Sequence, residues 1–323
     1  MALHVFPRRP PMSDLIRKFL NDNPHLAAKT RDWYKIRLTE AFKYFNNNDL
    51  QTVTDEDINE YFAYMMAEKF AWSTRNGAFT CLKKFFRWAR IRKHIVDDPF
   101  DSDMVTRPPK IERQHRILTM DEIERMVKYE EEKGQYGQTK KVRQTGIRNA
   151  AILHLLLTTG IRRAELAAID LDDLSDDGSE IFIKKAKGGQ SRSAYPKPTS
   201  IRAIGYWLMV RPTTSNPALF VSLFKDKTGP RYHRLSDNSI TRIVADAAKR
   251  SGVNIDGAAH ALRRLYATEY SKNGSHFALQ KLMGHKRIET TQGYVTYSPR
   301  VLKDLASKAG PELTNGKEPP EDG

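Results

Sequence analysis

The strongest constraint on the fold is an apolar pattern of helical period that runs from residue 13 to about residue 104. In one segment the apolar side chains fall on a single helical face, at Tyr34, Leu38, Ala41, Phe42 and Phe45. Thr54, followed three residues later by Asp57, predicts the capped start of another helix. Asp98-Pro99 ends the pattern, because the residue before a proline disfavours helical backbone. The pattern predicts a small bundle of four or five helices.

A change in composition follows this bundle. The stretch TRPPKIERQHR, residues 106–116, combines two prolines with basic residues and predicts an extended linker between two domains. Beyond it, Thr119 predicts the cap of a further helix. Residues 151–169 predict a buried helix, a break at Thr159-Gly160 and a second helix, whereas the polar residues 130–146 are predicted to form a surface excursion.

Strand signals are concentrated in one predicted β-hairpin. Residues 180–184 (EIFIK) carry isoleucine at alternate positions, Lys187-Gly188-Gly189 supplies a turn, and residues 191–195 return. The predicted fold class is therefore mainly α with a small β-sheet, in two domains. The predicted organisation is a flexible basic arm (1–12), a helical domain (13–105), a linker (106–116), an α+β domain (117–310) and a disordered tail (311–323).

Charge indicates a polyanionic partner. The chain holds 54 lysines and arginines against 39 acidic residues, which gives a net charge of +15. Nucleic acid is the leading interpretation and an anionic membrane surface is the second. No apolar run approaches the ~20 residues that a membrane-spanning helix needs, so we expect no membrane insertion. A single cysteine, Cys81, excludes an internal disulfide and fits a reducing cytoplasm.

One predicted helix carries a basic face that could serve this partner. Lys83, Arg87 and Arg90 recur at helical spacing opposite its apolar side chains. Two readings stay open: these side chains contact DNA phosphates, or they form an ordinary solvated face.

Five short motifs follow one another along the second domain: TTGIRRAEL with Arg162, AKGG with Lys187, HALR with His260 and Arg263, LMGH with His285, and TTQGY with Tyr294. A tyrosine among histidines and arginines suits attack on a phosphodiester whose oxygens are held by cations. In this order the motifs closely resemble the catalytic domain of the tyrosine recombinases, the phage integrase and Xer family. The segments KTRDWYKIRL and STRNGAFTCLKKFFRWAR resemble the SAM-like core-binding domain of that family.

The resemblance implies a role for each motif residue. Tyr294 would be the nucleophile, and Arg162 and Arg263 would hold the non-bridging phosphate oxygens. By the same analogy His260 and His285 donate further hydrogen bonds, with His260 also able to accept the phenol proton, and Lys187 protonates the leaving 5′ oxygen. The product would be a covalent 3′-phosphotyrosyl link. The sequence has neither a Walker-type Gly-Lys loop nor a carboxylate cluster for Mg²⁺, so we expect no cofactor and no metal.

Neighbouring residues of the same type leave alternatives open. They are Arg163 and Arg264 for the arginines, Lys184 and Lys185 for the lysine, and Tyr297 for the nucleophile. Glu165 is expected to be structural and to fix an arginine. His154 and His233 are expected to be structural.

The family implies a site-specific recombinase that closes as a clamp on double-stranded DNA carrying specific recombination sites. Four copies would form a homo-tetramer on two DNA sites and exchange strands through a Holliday junction. The amphipathic segment SPRVLKDLASKAG would dock onto a neighbouring copy or pack on its own domain. The alternatives are a relaxing type IB topoisomerase and a non-catalytic DNA-binding protein.

The biological role stays open among integration and excision, Xer-like resolution, inversion and transposition. Accessory factors that bend DNA or set the direction of recombination are a further expectation. The expected location is the cytoplasm, in association with the nucleoid.

Overall fold

A computed structural model describes residues 11–46, 49–109, 116–184, 191–224, 232–272 and 275–284. The chain divides into two compact units, residues 1–114 and 115–323. The described residues form eleven α-helices and one two-stranded sheet, so the predicted mainly helical fold class is confirmed.

Four helices build the first unit: α1 (Met12–Asn21), α2 (Ala28–Tyr44), α3 (Asp55–Ala67) and α4 (Trp72–Ile91). The core of this unit is aromatic and is centred on α4. Phe85 lies 5.4 Å from Phe19 on α1 and 5.3 Å from Phe42 on α2, measured between ring centroids, and both contacts are edge-on. Such pairs add about 0.5–1.5 kcal/mol each beyond the area that they bury. The predicted apolar face of the fourth helix is thus the face that holds the unit together.

Seven helices and the sheet build the second unit: α5 (Met120–Tyr136), α6 (Lys140–Thr159), α7 (Arg163–Ala168), β1 (Ile181–Ile183), β2 (Arg192–Ala194), α8 (Pro198–Val210), α9 (Asp237–Arg250), α10 (Ala259–Ser271) and α11 (His276–Met283). The two strands are antiparallel, with Ile181 opposite Ala194 and Ile183 opposite Arg192. Ile181, Ile183 and Ala194 turn their side chains into the core, where Trp207 of α8 is fully buried. The two strands of the predicted hairpin are therefore paired with each other and anchored in the core of the second unit.

The predicted surface excursion at residues 130–146 is wrong. Helix α5 continues to Tyr136 and α6 begins at Lys140, so most of this stretch is helical. Glutamate, lysine and glutamine are good helix formers, which explains why a polar stretch stays in a helix. The two helices cross at Gly134 and Gly146, where a Cβ added to Gly146 would lie 2.3 Å from the Gly134 nitrogen. A crossing this close requires glycine.

Two predicted helix starts are confirmed in detail. Thr54 and Asp57 form a reciprocal capping box at the start of α3, and Thr119 and Glu122 form another at the start of α5. None of the helices in the described part of the chain has the length and hydropathy of a membrane span.

Candidate active site

The structure describes three of the predicted catalytic residues, Arg162, His260 and Arg263, all in the second unit. Lys187, His285 and Tyr294 lie outside the described residues. The alternative nucleophile Tyr297 and the alternative lysine Lys185 also lie outside them.

The site begins at the corner where α6 ends. Gly160 adopts a left-handed conformation (φ 58°) that closes the C-terminus of α6, and Arg162 stands directly before α7. A Cβ on Gly160 would lie 2.3 Å from Cδ1 of Tyr266 on α10, so only glycine allows α10 to pack this closely. The Gly160 carbonyl accepts a hydrogen bond from Nη1 of Arg263, which is also on α10. The corner therefore brings the two predicted arginines into one cluster.

Arg162 is held from two directions. Its Nη1 donates to Glu165 Oε1 at 2.7 Å, and its backbone N–H donates to Glu165 Oε2 at 2.9 Å. Its Nη2 donates to the Gly284 carbonyl at 3.0 Å. The expectation that Glu165 fixes an arginine matches this geometry.

Arg263 is almost completely buried, with 1% of its surface exposed. Besides its bond to Gly160, its Nη2 donates to the Met283 carbonyl at 2.7 Å. Met283 and Gly284 form the C-terminal end of α11, where carbonyl groups carry the negative end of the helix dipole. Both arginines thus meet at the chain position directly before His285.

His260 lies at the start of α10, one helical turn before Arg263, and is exposed. Partial loss of hydration lowers the pKa of this imidazole, and the nearby charges of Arg163 and Arg263 lower it further. A lowered pKa leaves the ring neutral at pH 7, with one nitrogen able to donate and the other able to accept a proton.

Arg192 is a member of the cluster that the sequence did not reveal. Its Nη2 donates to Glu165 Oε2 at 2.7 Å, and its side chain is 9% exposed. The chain has many arginines on polar stretches, and none of the sequence patterns separates this one from the others.

The alternative arginines and lysine have partners of their own. Arg163 Nη1 donates to Thr241 Oγ1 on α9 at 2.7 Å, and Arg264 donates to the Asp256 carbonyl. Lys184 Nζ lies 2.7 Å from an Asp173 oxygen, and its hydrogen bond with Asp173 raises the pKa of the ammonium group. A proton donor for a leaving oxygen calls for a lowered pKa instead. The ion pair with Asp173 therefore counts against Lys184 as the proton donor, whereas all four arginines have partners and their contacts do not separate them.

The two histidines expected to be structural have contacts within the fold. His154 on α6 lies 3.1 Å from Glu131 on α5. The His233 carbonyl accepts a hydrogen bond from the Ser222 backbone N–H at 2.7 Å.

The basic face of α4 is exposed at Lys83, Arg87 and Arg90. Arg90 forms an ion pair with Asp101. The Arg90 charge is therefore partly neutralised, and Lys83 and Arg87 are the more available cations of this face.

Comparison with known proteins gives two family matches. Residues 116–300 match the model of the phage integrase family, and residues 15–94 match the phage integrase N-terminal SAM-like domain. Tyrosine recombinase XerC 2 of Ralstonia nicotianae is 29% identical over 251 residues, which are 74% of this chain and 65% of that protein, just under two thirds. Tyrosine recombinase XerD of Rhizobium meliloti is 24% identical over 297 residues, covering 90% of this chain and 92% of that protein.

Solved structures share the fold. A lambda integrase tetramer bound to a Holliday junction is similar with a TM-score of 0.68 and 20% identity, covering 90% of this chain and 78% of that one. XerH recombinase in a post-cleavage complex with palindromic difH substrate is similar with a TM-score of 0.68 and 19% identity. The match covers 91% of this chain and 84% of that one. The integrase match spans more than half of the sequence and includes all six predicted catalytic residues. The chain belongs to the phage integrase family and is a tyrosine recombinase, an enzyme that cleaves and rejoins DNA strands at specific sites.

Proposed function

We propose that Tyr294 is the nucleophile of this recombinase and that Arg162, Lys187, His260, Arg263 and His285 form its active site. The observation that carries the proposal is the meeting of Arg162 and Arg263 at the carbonyls of Met283 and Gly284. Three segments converge there, the corner between α6 and α7, α10 and the end of α11, and His285 is the next residue along the chain.

The proposed step is a transesterification. The Tyr294 oxygen attacks the scissile phosphorus, a P–O bond to tyrosine forms, and the bond to the 5′ oxygen breaks. The phenol proton goes to His260, and Lys187 delivers a proton to the leaving 5′ hydroxyl. A free phenol has a pKa of about 10, so only about a thousandth is ionised at pH 7. A neutral imidazole is suited to accept this proton, and the lowered pKa of His260 keeps it neutral.

The arginines stabilise the charge that develops on the phosphate. The side chain of Arg162 is 27% exposed, and its two side-chain contacts leave some of the five guanidinium N–H donors for a phosphate oxygen. Arg263 is buried, so its contact with the phosphate requires the end of α11 to move. Losing one such donor in other enzymes costs about 10²- to 10³-fold in rate.

A nicked duplex that loses its short 5′ fragment after cleavage tests this proposal, because only an active nucleophile becomes trapped on it. The duplex is first selected by the wild-type chain from a library with a randomised core. We expect Tyr294→Phe to abolish the covalent product and Tyr297→Phe to retain it. The opposite result would reassign the nucleophile.

We further propose that the two domains close on duplex DNA and that four copies exchange strands through a Holliday junction, with Lys83 and Arg87 on phosphates. The lambda integrase tetramer on such a junction supports this assembly. Accessory factors and a cytoplasmic, nucleoid-associated location belong to the same proposal.

We propose a docking groove for the C-terminal segment of a neighbouring copy. A cavity of about 670 Å³ in the second unit is lined by Leu157, Tyr266 and Tyr270 among others. The segment 298–310, predicted to be amphipathic, supplies apolar side chains that suit this lining. A chain ending at residue 297 should then bind single sites but lose cooperative assembly in a gel-shift titration. Unchanged cooperativity would count against trans docking.

A further inference from the structure

Arg192 connects the β-sheet of the second unit to the predicted active site. It is the first residue of β2, opposite Ile183, and directly follows the stretch that carries Lys187. Its side chain is 9% exposed, and its Nη2 donates to Glu165 Oε2 at 2.7 Å. Arg192 therefore joins the sheet to the loop that holds Arg162.

Glu165 is shared between two arginines. Oε1 accepts from Arg162 Nη1 at 2.7 Å, and Oε2 accepts from Arg192 Nη2 at the same distance. Burial would raise the pKa of the Glu165 carboxyl, but the charge of Arg192 and the hydrogen bonds from Arg162 outweigh it, so this pKa lies below its ordinary value. The single negative charge of Glu165 is thus shared by the positive charges of Arg162 and Arg192, so the three side chains together keep a net charge of +1.

A contribution to fold stability alone does not explain why an arginine stands at position 192. Its Nε and Nη1 are buried without a hydrogen-bond partner among the described residues. A buried donor without a partner lowers the stability of the fold. The side chain also lies against the end of α11, where a Cβ on Gly284 would come within 2.8 Å of Nε.

We propose that Arg192 is a positioning residue for strand cleavage: by donating to Oε2 of Glu165, it confines the Arg162 guanidinium to Oε1 and to the Gly284 carbonyl, and keeps the Arg162 charge available to the scissile phosphate. This inference rests on the proposed role of Arg162. Without Arg192, Glu165 Oε2 keeps only its hydrogen bond from the Arg162 backbone N–H, and its second lone pair is open to the Arg162 guanidinium. A two-pronged arginine–carboxylate pair is the strongest form of this contact, and it would turn Arg162 toward Glu165 and neutralise it.

Three variants separate positioning from a structural role. Arg192→Met removes the charge and the donors, and Arg192→Lys keeps a charge that can reach one Glu165 oxygen. Arg148→Met is the matched control, because Arg148 is another buried arginine of the second unit, 6% exposed, whose Nη1 donates to the Val221 carbonyl. Each variant is measured by its thermal unfolding midpoint and by its single-turnover rate of covalent attachment at saturating DNA.

The decisive readout compares two versions of the selected nicked duplex. One carries the normal scissile phosphate, and the other carries a methylphosphonate there, which lacks the negative oxygen that Arg162 would hold. We expect Arg192→Met to slow attachment about 10- to 100-fold on the phosphate, the usual range for residues that support a reacting group. On the methylphosphonate the loss should shrink to about 3-fold or less, since little charge remains to be held. Arg192→Lys should lie between the wild-type chain and Arg192→Met, and Arg148→Met should lower the unfolding midpoint while its folded fraction reacts normally.

Two results would overturn the inference. They are an unchanged rate for Arg192→Met on the phosphate, and an equal loss on both substrates. If Arg192→Met does not fold, Arg192→Lys gives the same comparison, and equal losses there would also refute it. Should the wild-type chain attach to no duplex of the library, the proposed function itself fails, which is a distinguishable outcome.

Discussion

Replacing Gly160 by alanine should lower both the stability of the second unit and the rate of cleavage, and Gly252 offers a matched control. In Gly160→Ala, a residue with a side chain must adopt φ 58°, which costs about 1–2 kcal/mol. The new Cβ would also lie 2.3 Å from Tyr266 Cδ1 and 2.8 Å from Cε1, so α10 must shift. Overpacking of this kind costs about 1–3 kcal/mol. The sum predicts a loss of about 2–5 kcal/mol in the free energy of unfolding of the second unit.

Gly252→Ala isolates the backbone part of this loss. Gly252 has φ 69° after the end of α9, and an added Cβ would meet nothing within 4 Å. This variant should therefore lose only about 1–2 kcal/mol. The difference between the two variants measures the contact with Tyr266 and the displacement of α10, which carries Arg263. Urea unfolding gives both free energies from the transition of the second unit.

Cleavage provides the second half of this test. Because the Gly160 carbonyl accepts from Arg263, a shift of α10 moves a predicted catalytic cation. We expect Gly160→Ala to slow covalent attachment at least about 10-fold, which is ~1.4 kcal/mol in the barrier, and Gly252→Ala to leave it unchanged. Equal stability losses in the two variants, or normal cleavage by Gly160→Ala, would refute the reasoning. The double variant with Tyr266→Ala should recover most of the steric loss but not the backbone loss.

Three further predictions follow from charge and backbone geometry. Arg163→Met removes a positive neighbour of His260, so the pKa of His260 should rise toward its ordinary ~6.5 and the acid limit of cleavage should move to higher pH; an NMR titration and a pH–rate profile measure both shifts. Ala258 has φ 42°, so Ala258→Gly should stabilise the second unit by about 1 kcal/mol in urea unfolding, and a lower stability would contradict the strain. Lys83→Ala and Arg87→Ala should each reduce the slope of log affinity against log salt by about 0.9, measured by fluorescence anisotropy, and unchanged slopes would remove them from the DNA contact.

Local signals were sufficient for much of the fold. Thr54 with Asp57 and Thr119 with Glu122 each form a cap within four residues, so the pattern that predicts the cap contains all its atoms. The pairing of the two strands is equally local, since only residues 184–191 separate them along the chain. The prediction for 130–146 is wrong because most of its polar side chains face outward from a helix, while Glu130 is buried and Gly134 makes the interhelical contact.

The predicted site depends on contacts that no local pattern contains. Arg192 reaches Glu165 across 27 positions, and Arg263 reaches Gly160 across 103. The family resemblance identified Arg263 but not its burial, because burial results from carbonyls contributed by α6 and α11. The sequence identifies which residues carry the charges. The partners of those charges become known only from the way the helices pack.

The contacts of Arg162 and Arg263 with Gly284 and Met283 link the position of the end of α11 to the two predicted catalytic cations. Arg263 holds the Met283 carbonyl and Arg162 holds the Gly284 carbonyl, so two consecutive peptide units at the end of α11 are bound by predicted catalytic cations. A phosphate that draws those cations toward itself competes with the Met283 and Gly284 carbonyls for the same N–H donors. Arrival of the substrate and release of the end of α11 would then be a single event.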